Sequence, residues 1–235
     1  VNAPVTPTYR SVYNILTQDE GWKKTSEEEW HATNPYAEFF KLCETNTTIV
    51  TKCGLVDEKK LSTTEQKSAL KKYQIFVDMN GLDNNIQFFN NYRYTAFIPN
   101  NEAIQEAIAN GLPTWEEIEA DYNEMEPVVN TLDSLKDVMD NTDYVFVEED
   151  SIMCDQLWEK AHADSIKIQA KITYLTNFVR THFADKTFFA DKSEANVEQI
   201  TSSYNNDNGL FVKAFAKREN GQLQVKDNTE TGKWI

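Results

Sequence analysis

The sequence predicts an α+β fold in which helices precede and interrupt a mainly antiparallel sheet. Three observations carry that class. Helix start signals and apolar stripes at helical spacing fill the first half. Aromatic and β-branched runs begin near residue 84. Asn-Gly pairs punctuate the last fifty residues, and Asn-Gly is the strongest short hairpin signal. Forty per cent of the 235 residues are hydrophobic, enough for an ordinary core, so wholesale disorder is excluded.

Taken in order, Val1 to Thr8 reads as a Pro/Thr linker left after removal of a signal or lipid-anchor segment; a plain intracellular N-terminus is the other reading. Residues 9–235 read as a single domain. Ser26 with Glu29 and Ser62 with Glu65 have the spacing of capping boxes. Asn34 caps a helix that has Pro35 at its first position and Tyr36, Phe39, Phe40 and Cys43 on one face. Ala69, Leu70, Tyr73, Phe76 and Val77 repeat that helical spacing. Residues 84–89 and 92–98 read as a hairpin or two neighbouring strands, with Asn90-Asn91 between them. Pro99 stops the second strand, Asn100 can cap a helix carrying Ala103, Ile104, Ala107 and Ile108, and Gly111 ends it.

Residues 112–165 are mostly polar and read as a helical insertion. One helix opens at Thr114, and Val128, Leu132, Leu135 and Met139 suggest another. Ile168, Ile172, Leu175 and Val179 mark a long helix ending near His182. Strands follow at 187–190, 197–204, 210–217 and 222–226, separated in the last two gaps by Asn208-Gly209 and Asn220-Gly221.

The stretch from Tyr94 to Ala103, with Thr95, Phe97, Pro99, Asn101, Glu102 and Ala103 in sequence, resembles the first signature box of the fasciclin-like domain family. Leu175 to His182 resembles its second box, a helix with Leu spacing that ends in histidine. The order of the boxes and the strands after them agree, and Tyr36 to Leu55 is similar to the family's early helices. The Asn-rich hairpin and the Gly111–Trp115 segment resemble versions in surface lipoproteins of gut Bacteroidetes. The resemblance implies an antiparallel β-sandwich or wedge flanked by helices. It also implies a non-enzymatic binding and cell-adhesion module outside the cytoplasm, at the cell surface, the outer membrane or in the periplasm. Thr95, Phe97, Pro99, Asn101, Glu102 and His182 would be framework residues. Thr181-His182 departs from the Tyr-His of some animal members, so integrin contact is not implied. The family's closing strand pair does not precede Trp234-Ile235; either the chain is truncated or its sandwich closes differently.

The net charge of −15 comes without a Lys/Arg cluster, since Lys71-Lys72 and Lys217-Arg218 are isolated pairs. Counterion release on nucleic acid needs such clusters, so nucleic acid and bare anionic membrane are excluded as partners. A membrane contact would come only through a lipid anchor outside this chain. No apolar run is long enough to cross a bilayer. Cys43, Cys53 and Cys154 have no zinc-site spacing; a Cys43–Cys53 bridge is open, with buried free thiols the preferred reading. No catalytic motif, metal set or cofactor motif is found, and none is expected. His31, His162 and His182 read as structural or solvated groups, and Glu148 to Asp150 as a solvated charge run. Aromatic rings are the remaining lead. Trp22, Trp30, Trp115 and Trp158 lie in polar surroundings, and Trp115, Tyr122, Tyr144, Phe146 and Trp158 recur through the insertion as a candidate binding surface. The partner would be an extracellular protein or a glycan. In the second case the chain would be a carbohydrate-binding accessory protein of a glycan-uptake system.

Overall fold

The computed structural model describes residues 34–56, 62–78, 84–86, 95–184, 198–205, 211–219 and 222–227. Six helices run through them: α1 Ala37–Cys43, α2 Thr47–Lys52, α3 Thr63–Leu70, α4 Asn101–Ala109, α5 Trp115–Met139 and α6 Glu148–Thr181. The strands are β1 Phe76–Asp78, β2 Asn84–Ile86, β3 Thr95–Ala96, β4 Phe183–Ala184, β5 Glu198–Asn205, β6 Phe211–Glu219 and β7 Gln222–Asp227. Val1–Glu44, Gln74–Ala109 and Asn177–Ile235 form one compact unit, Thr45–Tyr73 and Asn110–Thr176 the other.

In the first unit, β1 pairs with β2, and β3 to β7 pair antiparallel in chain order. The β4–β5 step rests on one register pair, Ala184 with Ser202, while β6 and β7 pair from Ala214–Asp227 down to Glu219–Gln222. Ala184 and Ala216 are buried at the centre of this sheet, with Phe97, Ala214 and Val225 half-buried against them. Phe39 of α1 and Ile104 of α4 are fully buried, and Asn101 clips the two helices together. Its backbone N–H donates to Pro35 O at 2.9 Å, its amide nitrogen donates to Asn34 O at 2.9 Å, and its Oδ1 accepts from Glu38 N at 3.0 Å. Asn100 Oδ1 accepts from Ala103 N at 2.9 Å and caps α4.

The second unit is helical. Ile118, Tyr122, Met125 and Leu132 make an inward stripe on α5, and Ala161, Ile168, Ile172 and Leu175 one on α6. Steps of three and four residues put each set on one face. The helices run antiparallel: Lys171 of α6 reaches Glu117 and Asp121 in the first turns of α5. The other ends of the two helices are joined by residues 140–147. The turn after α2 packs on the same pair, because Ser165 Oγ donates to Cys53 O at 2.9 Å and Gln169 Nε2 at 2.5 Å. Gly54, at φ +78, provides the left-handed backbone that reverses the chain there. Helix α3 has no buried residue and rests on its capping box, with Ser62 and Glu65 bonded reciprocally.

The β-sandwich or wedge is overturned. Helix predominates among the described residues, and their strands form one two-stranded ribbon and one open single-layer run rather than two stacked sheets. The physical reason is in α5 and α6. Residues expected to form a polar insertion on a sheet bury a continuous helical seam of their own. Two smaller expectations also change. Helix α5 runs unbroken through Pro127, where two helices are expected from sequence. The stripe from Ala69 to Val77 divides between the end of α3 and β1, so Asn84–Ile86 pairs with Phe76–Asp78. The linker at 1–8, the Ser26–Glu29 box, Trp22, Trp30, His31, the Asn90-Asn91 turn, the 187–190 strand and both Asn-Gly turns lie outside the described residues.

Candidate binding surface

The α5–α6 pair changes character along its length. Near its base the seam is closed: Ile118, Ile168, Ile172 and Leu175 are essentially inaccessible to solvent. Between Leu132 and Ala161 no residue is buried. The seam continues there through Leu135, Met139, Cys154 and Leu157, all half-buried, because two helices alone cover only one side of each other.

The far end of the pair, called the closed end because residues 140–147 join the two helices there, carries apolar side chains in the open at 138–153. Val145 is 80% exposed and Phe146 69%, and Val138, Val147, Ile152 and Met153 are exposed with them. Single exposed apolar residues are normal on any protein surface, but a cluster at one place is informative. The loop holding them is built. Tyr144 OH donates to Asp150 Oδ2 at 2.9 Å and accepts from Val147 N at 3.1 Å. Asn141 Oδ1 accepts from Asp143 N, and Tyr144 N donates to Asn141 O. Desolvation raises the Tyr144 phenol pKa, the Val147 N–H bond opposes it and the Asp150 contact adds to it. These bonds hold the turn in a form that leaves Val145 to Val147 exposed.

The five aromatic residues expected to form the surface divide. Trp115 and Tyr122 are core residues. Tyr122 OH donates to Glu126 Oε1 at 3.0 Å, and Lys52 Nζ sits 5.3 Å from its ring centroid. Tyr144 is half-buried in the loop brace. Phe146 faces solvent, and so does half of Trp158, whose ring stacks on His162 at 4.8 Å and 13°. The sequence reading omits Val138, Val145, Val147, Ile152 and Met153. A usable signal is that Val138, Ile152 and Met153 sit off the three-and-four seam, where an exposed helix normally carries charge, while Val145 and Val147 lie in the loop.

In the first unit Phe97 N donates to His182 O at 2.8 Å, which joins the Tyr94–Ala103 and Leu175–His182 stretches of the sequence. Phe97, Thr95 and Pro99 are half-buried, and Glu102 is exposed in the first turn of α4. His182 Nδ1 lies 2.8 Å from Phe178 O, so that nitrogen carries the proton and donates. Phe178 and Phe39 flank its ring at 4.7 and 5.2 Å. Burial lowers its pKa, against the bond to Phe178, which raises it. Thr181 Oγ1 lies 3.5 Å from the same ring nitrogen and donates to Phe178 O at 2.6 Å, so ring and hydroxyl meet at one helix-end carbonyl.

A shallow cavity of about 250 Å³ lies between α5 and α6, lined by Asp121, Glu124, Asp164, Lys167, Ile168 and Lys171. Most of its charges are already paired. Lys171 contacts Glu117 and Asp121 at 2.6 Å each, and Lys167 contacts Asp164 at 3.1 Å. The hydrogen bond to Asp121, then that to Glu117, raises the Lys171 pKa and keeps its amine a cation, the opposite of a nucleophilic lysine. Among the described residues no group of three or more His, Cys, Asp or Glu is placed to hold a metal ion. No described helix is long and apolar enough to cross a membrane. Cys43, Cys53 and Cys154 are free thiols, and burial pushes Cys53 up to about 11. No family model, curated protein or solved structure matches the chain.

Proposed function

We propose that the chain is a non-enzymatic binding and cell-adhesion module that works outside the cytoplasm and engages an extracellular protein through the closed end of the α5–α6 pair. One observation carries the reading: a braced loop presents Val145, Phe146 and Val147 to solvent beside Ile152 and Met153. Burying such side chains drives association, at roughly 25 cal/mol per Å² of apolar area. Because the Tyr144 ties already order the loop, docking loses less conformational freedom. The two fasciclin-like boxes support the extracytoplasmic placement and the adhesive role. A glycan-binding accessory role is the second reading, favoured by the half-exposed indole of Trp158, which can stack on a sugar ring.

The test is an array of purified extracellular-matrix and envelope proteins with a parallel glycan panel, probed with the wild type and with Val145→Ser/Phe146→Ser/Val147→Ser. Signal on protein spots that the triple variant loses is the expected result. Undiminished signal from the folded variant overturns the docking surface. Signal confined to glycans and abolished by Trp158→Ala selects the second reading.

A further inference from the structure

The charges around the exposed end identify the chemistry of what docks there, an inference that rests on the docking reading above. Residues 136–160 hold eight carboxylates against two lysines, Lys136 and Lys160. None of the eight makes an ion pair among the described residues, and all but Asp150 are exposed. Nearer the base the acids are only partly open: Glu117 and Asp121 meet Lys171, Glu126 meets Lys52 and Asp164 meets Lys167, while Glu116, Glu119 and Glu124 make no ion pair among the described residues. The same helix pair thus neutralises part of its acids internally at one end and leaves all eight without an ion pair at the other. The open acids surround the exposed apolar side chains: Asp143 precedes Tyr144, and Glu148 and Glu149 follow Val147 directly.

We infer that the closed end of the α5–α6 pair binds a cationic protein segment, in which large apolar side chains are flanked by lysine or arginine. Such a segment places its apolar residues on Phe146 and its neighbours, and its cations against Asp143, Glu148 and Glu149. Excluding water from the apolar contact lowers the local dielectric and strengthens those ion pairs. Within about 8 Å, the screening length at physiological salt, neighbouring carboxylates act on the same cation. Charge also selects against other occupants. An anionic bilayer surface is repelled. A second copy brings acid against acid at the same place. A neutral glycan leaves the carboxylates without partners.

The probes are a fluorescent amphipathic peptide of leucine and lysine and the same peptide with glutamate for lysine, titrated with the full chain by fluorescence anisotropy. The leucine–lysine peptide should bind, with the glutamate version weaker by at least about tenfold. Asp143→Asn/Glu148→Gln/Glu149→Gln should weaken binding about three- to tenfold and flatten its salt dependence. Glu116→Gln/Glu119→Gln/Glu124→Gln, which removes the same charge from the base, should leave it unchanged. Circular dichroism establishes that each variant is folded. Equal binding of the two peptides, or equal loss in the two charge variants, overturns the inference. So does binding to phosphatidylserine vesicles, or self-association by sedimentation, in place of peptide binding. If the Val145→Ser/Phe146→Ser/Val147→Ser variant loses its array signal while both peptides bind alike, the docking surface stands and the cationic assignment falls. If that variant keeps its array signal, the docking surface itself falls.

Discussion

The base and the closed end of the α5–α6 pair are built on one apolar seam, yet they differ in what surrounds it. At the base the seam is dry around Ile118, Ile168 and Ile172, and flanking positions carry Lys171, Glu117 and Asp121 in mutual contact. At the closed end the seam is half-open, and flanking positions carry Val138, Val145, Ile152 and Met153 among unpaired acids. The seam explains why both regions are helical. The flanking positions explain why only one of them exposes apolar side chains.

The largest effect expected is on stability, and it separates the two regions directly. Ile172→Ala should lower the unfolding free energy by roughly 3 kcal/mol, because a fully buried side chain leaves a cavity. Phe146→Ala should change it by less than about 0.5 kcal/mol, as for an exposed position. Urea denaturation of both variants makes the comparison; similar losses would mean that Phe146 is packed. Next comes Lys171→Ala, which breaks two contacts of a partly exposed network and should cost about 1 kcal/mol. That difference should shrink in molar salt, and a salt-independent loss would point to lost packing instead. Tyr144→Phe should cost still less, about 0.5 kcal/mol, with a local signature. The Val147 amide loses its acceptor and should exchange with solvent faster, while amides at the base do not change. The smallest effect belongs to His182, just past the last turn of α6. Burial disfavours its cation, so the unfolded chain takes up that proton first as pH falls. Its contribution is intact above the ordinary histidine value of about 6.5 and is lost as pH falls through the depressed folded value. Stability measured between pH 7.5 and 5 should therefore decline, and His182→Gln should flatten that part of the decline.

Local chemistry made some of this legible in sequence. Asn100 caps α4, Ser62 and Glu65 close their box, and the three last strands pair in chain order, because each depends on neighbours in the chain. Pro127 costs about 3 kcal/mol inside a helix, yet α5 continues through it with Met125 and Leu132 buried on either side, a tertiary packing that local sequence does not show. The start of α6 is masked in sequence by Asp164 and Ser165, polar residues on the seam that divide its apolar stripe. The sheet architecture was inferred from resemblance rather than from periodicity, and there the seam of α5 and α6 decided otherwise. For the surface, large rings were the wrong criterion. Trp115 and Tyr122 are core, and the exposed set is richer in Val, Ile and Met, which composition alone assigns to an interior.

An antiparallel pair with a repeating seam has a length that can be edited. Seven residues span two turns and about 10 Å of helix and return the seam to the same face. Inserting or deleting one heptad in each helix, between Leu132 and the loop and between the loop and Ala161, keeps both the base and the loop intact. Reach is therefore a separable trait of this protein, adjustable in steps of about 10 Å. Variants with the same loop at different distances from the base would present the same exposed side chains at different reaches.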